Sequence, residues 1–389
     1  MKSILGGALL VAGTSIGAGM LALPVVTAAA GFLPAFFVYL LCWMCMSCTG
    51  LLLLELCLRL PPDANLVTMA GTYLGKFGKM AAWGLYLFLF YCLSVAYVAS
   101  GGNLLGGWLG QDPQVCQALF VALLAPFVYL GSKMVDRYNR LLMAGLIVTY
   151  LVFVILGIPH VHVESLFVSN WGVAFAALPV VFTSFSYQGI IPSLTALLKR
   201  DAKKVRLAII AGTSIVFFIY LVWEFLILGI IPLDSLQLAS EMGQSAVTPL
   251  KDRVAIPALN WVGQAFAFFA IATSFLGVTM GLLDFLADGL TLAKVGMRKV
   301  FLAALTFIPP LLIAWTYPNI FIFALVLAGG IGCALLLGVL PTLMVWRARY
   351  GKEGHGGPQQ VGGGRWLLGA LLIFILLEVV LELRHFIHK

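Results

Sequence analysis

Two stretches of this sequence place glycines, hydroxyl side chains and a proline inside long apolar runs. They are VAGTSIGAGMLALP, residues 11–24, and FTSFSYQGIIPSL, residues 182–194. Each glycine weakens a helix by about 1 kcal/mol relative to alanine, and unwound backbone inside a bilayer survives only where protein or a water-filled cavity covers it. The freed N–H groups at such a break suit a carboxylate, and the freed carbonyls suit an ammonium group or a cation. A free amino acid carries both charges, so it suits two such breaks.

The elements that carry these stretches are membrane spans. The chain has 389 residues, of which 62% are hydrophobic and 10% charged, which indicates a polytopic membrane protein. Apolar windows between charge clusters predict eleven spans, near 4–28, 32–58, 79–106, 115–132, 139–159, 171–198, 205–231, 258–285, 299–316, 320–346 and 366–386. A short interfacial helix is predicted over 63–78, and the longest external loop over 232–257.

The basic residues predict the orientation of the spans. With a cytoplasmic N-terminus, all of the 23 lysines and arginines fall inside except Lys251, Arg253, Arg384 and Lys389. Positive charge gathers on the cytoplasmic side of membrane proteins, so we expect the N-terminus inside and the C-terminus outside. The net charge of +8 is then a signal of topology, and no nucleic-acid partner is expected.

The two interrupted stretches correspond to each other. Both begin Thr-Ser, continue through glycine and reach a proline, Pro24 and Pro192. They lie in predicted spans one and six, so they cross the membrane in opposite directions. Close packing of small residues, Gly13 and Gly17, would explain the first stretch alone, but paired interrupted spans point to the midplane site of a secondary transporter. We expect inverted repeats over 1–159 and 160–347, a Gly-rich cytoplasmic linker over 348–365, and helix 11 with an external C-terminus over 366–389.

These stretches and four others resemble the hydroxy and aromatic amino acid permease family, which includes bacterial tyrosine-specific and tryptophan permeases. The others are LLLLELCLRLP, YCLSVAYVASGG, ATSFLGVTMGLLDFLADGL and TFIPPL. The resemblance implies an all-α, leucine-transporter-like fold with a 5+5 inverted repeat, broken helices 1 and 6 and one extra helix. It also implies import of tyrosine or tryptophan across the bacterial inner membrane, driven by protons. Such permeases typically have glycine and histidine where this chain has Ser186 and Gln188. Because glutamine cannot carry a proton, a proton relay there is in question.

The candidate substrate-binding residues come from the two breaks and from two further spans. The breaks supply Thr14, Ser15, Ile16, Gly17, Ala18, Gly19, Ser184, Phe185, Ser186, Tyr187 and Gln188. Tyr91 in span three is too deep for an interfacial belt, and the resemblance implies that a tyrosine at this depth contacts the substrate carboxylate. Tyr91 is the first choice for that role and Tyr97 the second. Phe275 in span eight is a candidate to stack on an aromatic substrate, with core packing as the alternative.

The sequence leaves two candidates for the ion that drives transport, Na⁺ and H⁺. By resemblance to sodium-coupled relatives, Na⁺ would lie among the backbone carbonyls and hydroxyls of Gly13, Ile16, Ala270, Thr273 and Ser274. The alternative is that Thr273 and Ser274 bond carbonyls of their own helix. A proton needs a titratable group, and Glu55 and Glu224 are the candidates, because an acidic residue at the centre of a span costs about 2.5 to 3.5 kcal/mol. The resemblance favours H⁺. Glu378 in span eleven is expected to lie outside the transport core.

Other functional classes fit the sequence less well. An enzyme would need a constellation of nucleophile, base and acid or a metal cluster, whereas the carboxylates here are dispersed and the histidines lie in loops or the tail. A channel would use rings or filters along an axis, whereas broken inverted repeats fit alternating access. We therefore expect an amino-acid substrate, contact with membrane lipids, no cofactor, no metal and no obligate protein partner.

Overall fold

The computed structural model describes residues 3–62, 64–253, 256–351 and 359–387, and all regular structure within them is helical. Ten helices are long and apolar enough to cross a membrane, and the bent pair at the N-terminus makes eleven. The predicted all-α membrane fold is therefore confirmed. Lys2, Lys352 and Lys389, which entered the predicted charge bias, and residues 352–358 of the predicted linker lie outside the described residues.

The eleven spans have the following bounds. Span 1 consists of Ile4–Ser15 and Ala18–Thr27, and it is followed by span 2, Phe32–Arg59, span 3, the later part of Leu66–Leu109, span 4, Pro113–Leu130, span 5, Ser132–Gly157, span 6, Trp171–Leu197, span 7, Ala202–Ile230, span 8, Pro257–Gly289, span 9, Gly296–Thr316, span 10, Phe321–Tyr350, and span 11, Gly364–Ile387. Span 5 begins at Ser132 rather than near 139, because exposed charged side chains extend a helix that a hydropathy window ends early.

The predicted interfacial helix and span 3 form one helix with a bend. Asn65 caps its start, where its side chain accepts a hydrogen bond from the Thr68 N–H at 2.9 Å. Gly75 has a φ of +71° inside this helix, a left-handed conformation that side chains with a Cβ rarely adopt. The bend at Gly75 separates the first turns from the apolar span proper.

The loop between spans 7 and 8 is not extended chain. It holds two short helices, Leu233–Glu241 and Val247–Arg253. Between them, the N–H of Ala246 donates a 2.9 Å hydrogen bond to the carbonyl of Leu21 in the second half of span 1. This segment, here called the long loop, is thus attached to one of the broken spans.

A buried ion network joins spans 2 and 10 at the end of the molecule that carries Arg59, Arg200 and Arg349, here called the basic end. Glu55 is fully buried and accepts hydrogen bonds from Arg59 at 2.7 Å and from Arg349 at 2.9 and 2.6 Å. The backbone N–H of Gln360, just before span 11, donates to the same carboxylate at 3.0 Å. Two guanidinium groups and a backbone N–H thus hold the Glu55 carboxyl group in place between spans 2 and 10.

We predict that Glu55→Gln lowers the free energy of unfolding by about 3 kcal/mol, because removing one member of a buried ion pair leaves charge uncompensated. Thermal or denaturant unfolding of the protein in detergent measures this. The double variant Glu55→Gln/Arg349→Gln should lose less than the sum of the single variants, since each removes the same interaction.

The matched control is the exposed pair of Lys294 and Asp284, whose atoms lie 2.6 Å apart. Lys294→Gln should change stability by less than about 1 kcal/mol, as surface ion pairs contribute little. Additive losses in the Glu55 and Arg349 variants would contradict the network.

Candidate functional site

The first break lies between the two halves of span 1, which meet at an angle of 60°. The first half ends at Ser15, and the second begins at Ala18, whose N–H donates to the Ser274 hydroxyl of span 8 at 3.1 Å. A Cβ added at Gly17 would collide with that same hydroxyl. Glycine is therefore required here by the close approach of span 8, which reaches the buried N-terminal end of the second half-helix.

The second break interrupts span 6 after Leu178–Ser184, and the helix resumes at Ile191–Leu197. Phe185 is 1% exposed and packs edge-on against Tyr220 of span 7, with ring centroids 5.1 Å apart. Ser186 donates from its hydroxyl to the Thr183 carbonyl at 2.6 Å. Phe185, Tyr187 and Gln188 in the break are thus buried within the protein, whereas Gly189 is exposed.

The two breaks touch each other. A Cβ added at Gly19 would lie 3.3 Å from the Cα of Ser184, so the second half of span 1 passes directly over the end of the first half of span 6. The Tyr220 hydroxyl lies 2.7 Å from the Ser15 carbonyl and 2.7 Å from the Ser184 carbonyl. Both carbonyls belong to the last residue of a half-helix, where no continuing helix supplies a donor. One phenol therefore bridges the two breaks.

Tyr220 was missed in the sequence, although it satisfies the argument that selected Tyr91. It lies well inside span 7, far from an interfacial belt, and it is fully buried. A hydroxyl at that depth needs a partner. The depth of a tyrosine within its span was the available signal.

The two tyrosines of span 3 have different surroundings. Tyr91 donates to the Leu305 carbonyl of span 9 at 2.9 Å. Tyr97 is buried and lies near Ser274, the residue that caps the second half of span 1, and near Tyr220. Six residues turn a helix by roughly 240° beyond a full turn, so the two phenols point in different directions, which sequence depth alone does not reveal.

Two further candidates lie outside this arrangement. Thr14 is exposed, and its hydroxyl bonds the Leu10 carbonyl of its own helix at 2.7 Å. Phe275 packs against Phe120 and Phe307, with centroids 5.2 and 6.0 Å apart. These neighbours fit the alternative that Phe275 packs in the core. Phe275 directly follows Ser274, so its side chain points away from the face of the helix that reaches the break.

Tyr187 and Gln188 bind the second break to span 2. The Gln188 amide donates to the Thr49 hydroxyl at 3.1 Å and to the Met46 carbonyl at 3.3 Å, and it accepts from the Tyr187 N–H at 2.9 Å. The Tyr187 hydroxyl donates to Met46 as well, at 3.2 Å. Gln188 acts here through both ends of its amide, as a brace that needs no proton exchange.

Some of the proposed sodium ligands lie together at the first break. The Ala270 carbonyl lies 3.8 Å from a Cβ built on Gly17, and Ser274 contacts the break directly. Thr273 donates to the carbonyls of Phe269 and Ala270 in its own helix, at 2.8 and 3.1 Å, which fits the alternative reading of that hydroxyl. Ile16 is the C-cap residue that follows the first half-helix, and Gly13 lies beside Met143 of span 5.

Glu224 of span 7 is fully buried among hydroxyls. Tyr39 of span 2 donates to one of its oxygens at 2.7 Å, and the Thr27 hydroxyl contacts the other. Thr27 is also 2.7 Å from the Leu23 carbonyl. A hydroxyl has one hydrogen, so a protonated Glu224 that donates to Thr27, which then donates to Leu23, satisfies every group. Tyr39 in turn packs against Phe185 at the second break, with centroids 6.4 Å apart.

A polar cavity of about 440 Å³ lies beside this site, toward the end opposite the basic end. Its lining includes Ser100, Asn103, Gln244, Ser245, Thr248 and Asn319. Ser100 follows Tyr97 by three residues, roughly 4.5 Å along the helix. The cavity therefore begins about one turn from Tyr97, and the long loop forms part of its wall.

Comparison with known proteins agrees with this architecture. The chain is 33% identical to tyrosine-specific transport system 1 of Haemophilus influenzae, over 96% of this chain and 94% of that protein. It is 30% identical to a tryptophan-specific transport protein of the same organism (98% and 96%) and 29% identical to glutamine transporter 2 of Aliivibrio fischeri (98% and 99%).

Among solved structures, a manganese transporter of Eremococcus coleocola, in complex with an aromatic bis-isothiourea compound, superposes with a TM-score of 0.60 at 14% identity. The match covers 98% of this chain and 85% of that one, and it shows a shared fold. The family model of the tryptophan/tyrosine permease family matches residues 1–382. With nearly the whole chain covered by that model and by transport proteins of similar length, the chain belongs to the tryptophan/tyrosine permease family.

Proposed function

We propose that this permease imports tyrosine or tryptophan by symport with a proton, across a bacterial inner membrane with the basic end in the cytoplasm. The observation that carries the proposal is the meeting of the two broken helices at Tyr220. Breaks that meet at mid-depth supply both helix ends that an amino acid needs. In this assignment, residues 1–159 and 160–347 are the two inverted repeats.

Each end of the substrate has a proposed partner. The carboxylate would bind at Gly17 and Gly19, where the second half of span 1 begins, because helix N-termini attract anions. The ammonium group would face the carbonyls of Ser15 and Ser184, at two helix C-termini. Phe185 offers a wall for an aromatic side chain.

Uptake of labelled tyrosine and tryptophan into proteoliposomes tests the proposal, with pH and Na⁺ gradients imposed separately and unlabelled glutamine as competitor. We expect saturable uptake driven by the pH gradient alone. The absence of saturable uptake of both aromatic amino acids under either gradient would refute the substrate assignment. If glutamine competes more strongly than unlabelled tyrosine or tryptophan, the proposed aromatic substrate would be wrong and glutamine would take its place.

Sodium coupling is a second candidate, supported by the approach of Ala270 and Ser274 to the break. If Na⁺ drives uptake, Ser274→Ala should remove the Na⁺ dependence, because it deletes a candidate oxygen ligand. If protons drive uptake, Ser274→Ala should lower substrate affinity without creating or removing an ion dependence, since it removes the cap of Ala18.

Glu224 is the carboxylate that we propose carries the coupling proton. Its two contacts are hydroxyls, one from span 2 and one from the second half of span 1, so its protonation can influence both elements. Among the described residues, no ion pair is formed by Glu224, in contrast to Glu55 with its two arginines. A buried carboxylate without a cation favours its neutral form, which suits a group that must take up and release a proton.

We predict that Glu224→Gln abolishes concentrative uptake driven by a pH gradient while substrate counterflow persists. Glutamine imitates the protonated acid, so the carrier can exchange substrate but cannot return after releasing a proton. The control is Glu164→Gln, at an exposed position, which should leave both activities unchanged. Full concentrative uptake by Glu224→Gln would exclude this residue as the coupling site.

We further predict that Tyr220→Phe lowers the melting temperature of the empty protein and that saturating substrate restores part of the loss. Without the phenol, the Ser15 and Ser184 carbonyls lack a donor, at a cost of about 1–3 kcal/mol, and the substrate ammonium can replace it. Thermal unfolding with and without tyrosine or tryptophan measures the recovery.

Tyr150→Phe is the matched control, since its hydroxyl bonds the Ile219 carbonyl at 3.0 Å, away from the breaks. Substrate should not restore the melting temperature that Tyr150→Phe loses. Equal recovery in the two variants would contradict an ammonium site at Ser15 and Ser184.

A further inference from the structure

Span 11 carries a buried carboxyl group that the proposed transport site does not use. Glu378 is 2% exposed, and in the described part of the chain neither of its oxygens has a hydrogen-bond partner. Glu382 follows one turn later on the same helix face and is 8% exposed. Ionisable residues at bilayer depth are costly to keep and mark functional positions. Glu378 lies on span 11, outside the ten helices of the proposed repeats, and the packing described next connects that helix to a break.

The carboxyl group rests on an unusual part of span 10. Residues Ala328–Val339 of that span form a π-helix of 12 residues, a conformation that is rare and often marks functional sites. A Cβ added at Gly330 within it would lie 3.4 Å from Glu378 Oε1 and 2.8 Å from Glu382 Cγ. Only a glycine lets the two acidic side chains lie directly on the span 10 backbone.

Among the side chains that the structure describes, no cation stands with the titratable groups that interact with Glu378. They are Glu382 on its own helix, Cys42 and Cys45 on span 2, and Cys333 on span 10. Thiols are weak hydrogen-bond donors. An ionised Glu378 in these surroundings would carry the full cost of burying a charge, whereas a protonated one leaves only a polar group unsatisfied. The arrangement in this structure fits the protonated acid.

Span 10 connects this carboxyl group to the second break. A Cβ added at Gly329 would overlap the Pro179 carbonyl, so span 10 lies directly on the first half of span 6. The Thr183 hydroxyl donates to the Leu325 carbonyl at 2.9 Å. Gly329 and Gly330 are neighbours in the π-helix, so adjacent residues of span 10 contact the first half of span 6 and the acidic side chains of span 11.

From this packing, we propose that Glu378 is a second proton-binding site, whose protonation holds the π-helical part of span 10 against the second break. Loss of the proton creates a buried charge that must gain donors or water, which loosens the contact of span 10 with span 6 and lowers substrate exchange. The inference rests on the proposed transport function and adds a proton site outside the ten helices of the repeats.

Substrate counterflow as a function of pH tests the inference, because exchange needs no net proton movement and so reports the protonation of the carrier. In the Glu224→Gln background, we expect counterflow to decline as pH rises, with the remaining titration due to Glu378. In Glu224→Gln/Glu378→Gln, the decline should be lost. A decline of the same size and midpoint in both would overturn the inference.

Three controls separate the possible failures. Glu382→Gln in the same background should keep the decline, whereas its loss there would assign the titration to Glu382. Glu378→Asp should retain a decline with a shifted midpoint, and it replaces Glu378→Gln if that variant does not fold. Absence of counterflow in the unaltered protein would instead contradict the transport function itself.

A readout independent of transport is the infrared band of a protonated carboxyl group, measured in the purified protein as pH rises. The site would be supported if the unaltered protein loses, as pH rises, a band that the Glu378→Gln variant does not show at any pH. The site would be opposed if the variant shows the same bands as the unaltered protein.

Discussion

The arrangement of the site depends on one requirement: backbone groups freed inside a membrane must find partners within the protein. Breaking spans 1 and 6 releases the carbonyls of Ser15 and Ser184, and the Tyr220 hydroxyl lies 2.7 Å from both. A single hydrogen serves two acceptors, so the pair is under-supplied with donors when no substrate is present. In the proposed site, that deficit would leave the carbonyls available to the ammonium group of the substrate.

Three buried carboxyl groups illustrate how neighbours decide chemistry. Glu55 lies among guanidinium groups at the basic end. Glu224 has hydroxyl partners from span 2 and from the second half of span 1, and Glu378 has no hydrogen-bond partner among the described residues. In the sequence the three are equivalent, an acidic residue in an apolar run. The separate roles proposed for them follow from the cations beside Glu55, the hydroxyls beside Glu224 and the acidic and thiol neighbours of Glu378.

The sequence predicted the spans and the two breaks, because runs of apolar residues and clusters of glycine are local properties of the chain. It also placed Ser274 and Ala270 near the first break through the family resemblance. It did not predict the direction of side chains around a helix. Tyr91 and Tyr97 have similar depth, yet Tyr91 bonds the Leu305 carbonyl whereas Tyr97 lies near Ser274, and Tyr220 is not among the sequence candidates. A buried membrane helix is apolar on all faces, so its sequence lacks the polar stripe that reveals the rotation of a surface helix.

The hydrogen bond between Ala246 and Leu21 has a consequence for the long loop. Because this loop is attached to the second half of span 1 and also lines the polar cavity, a movement of that half-helix in the proposed transport cycle would pull on the loop. We therefore expect a molecule that binds the loop, such as an antibody fragment, to slow transport without competing for the proposed amino-acid site.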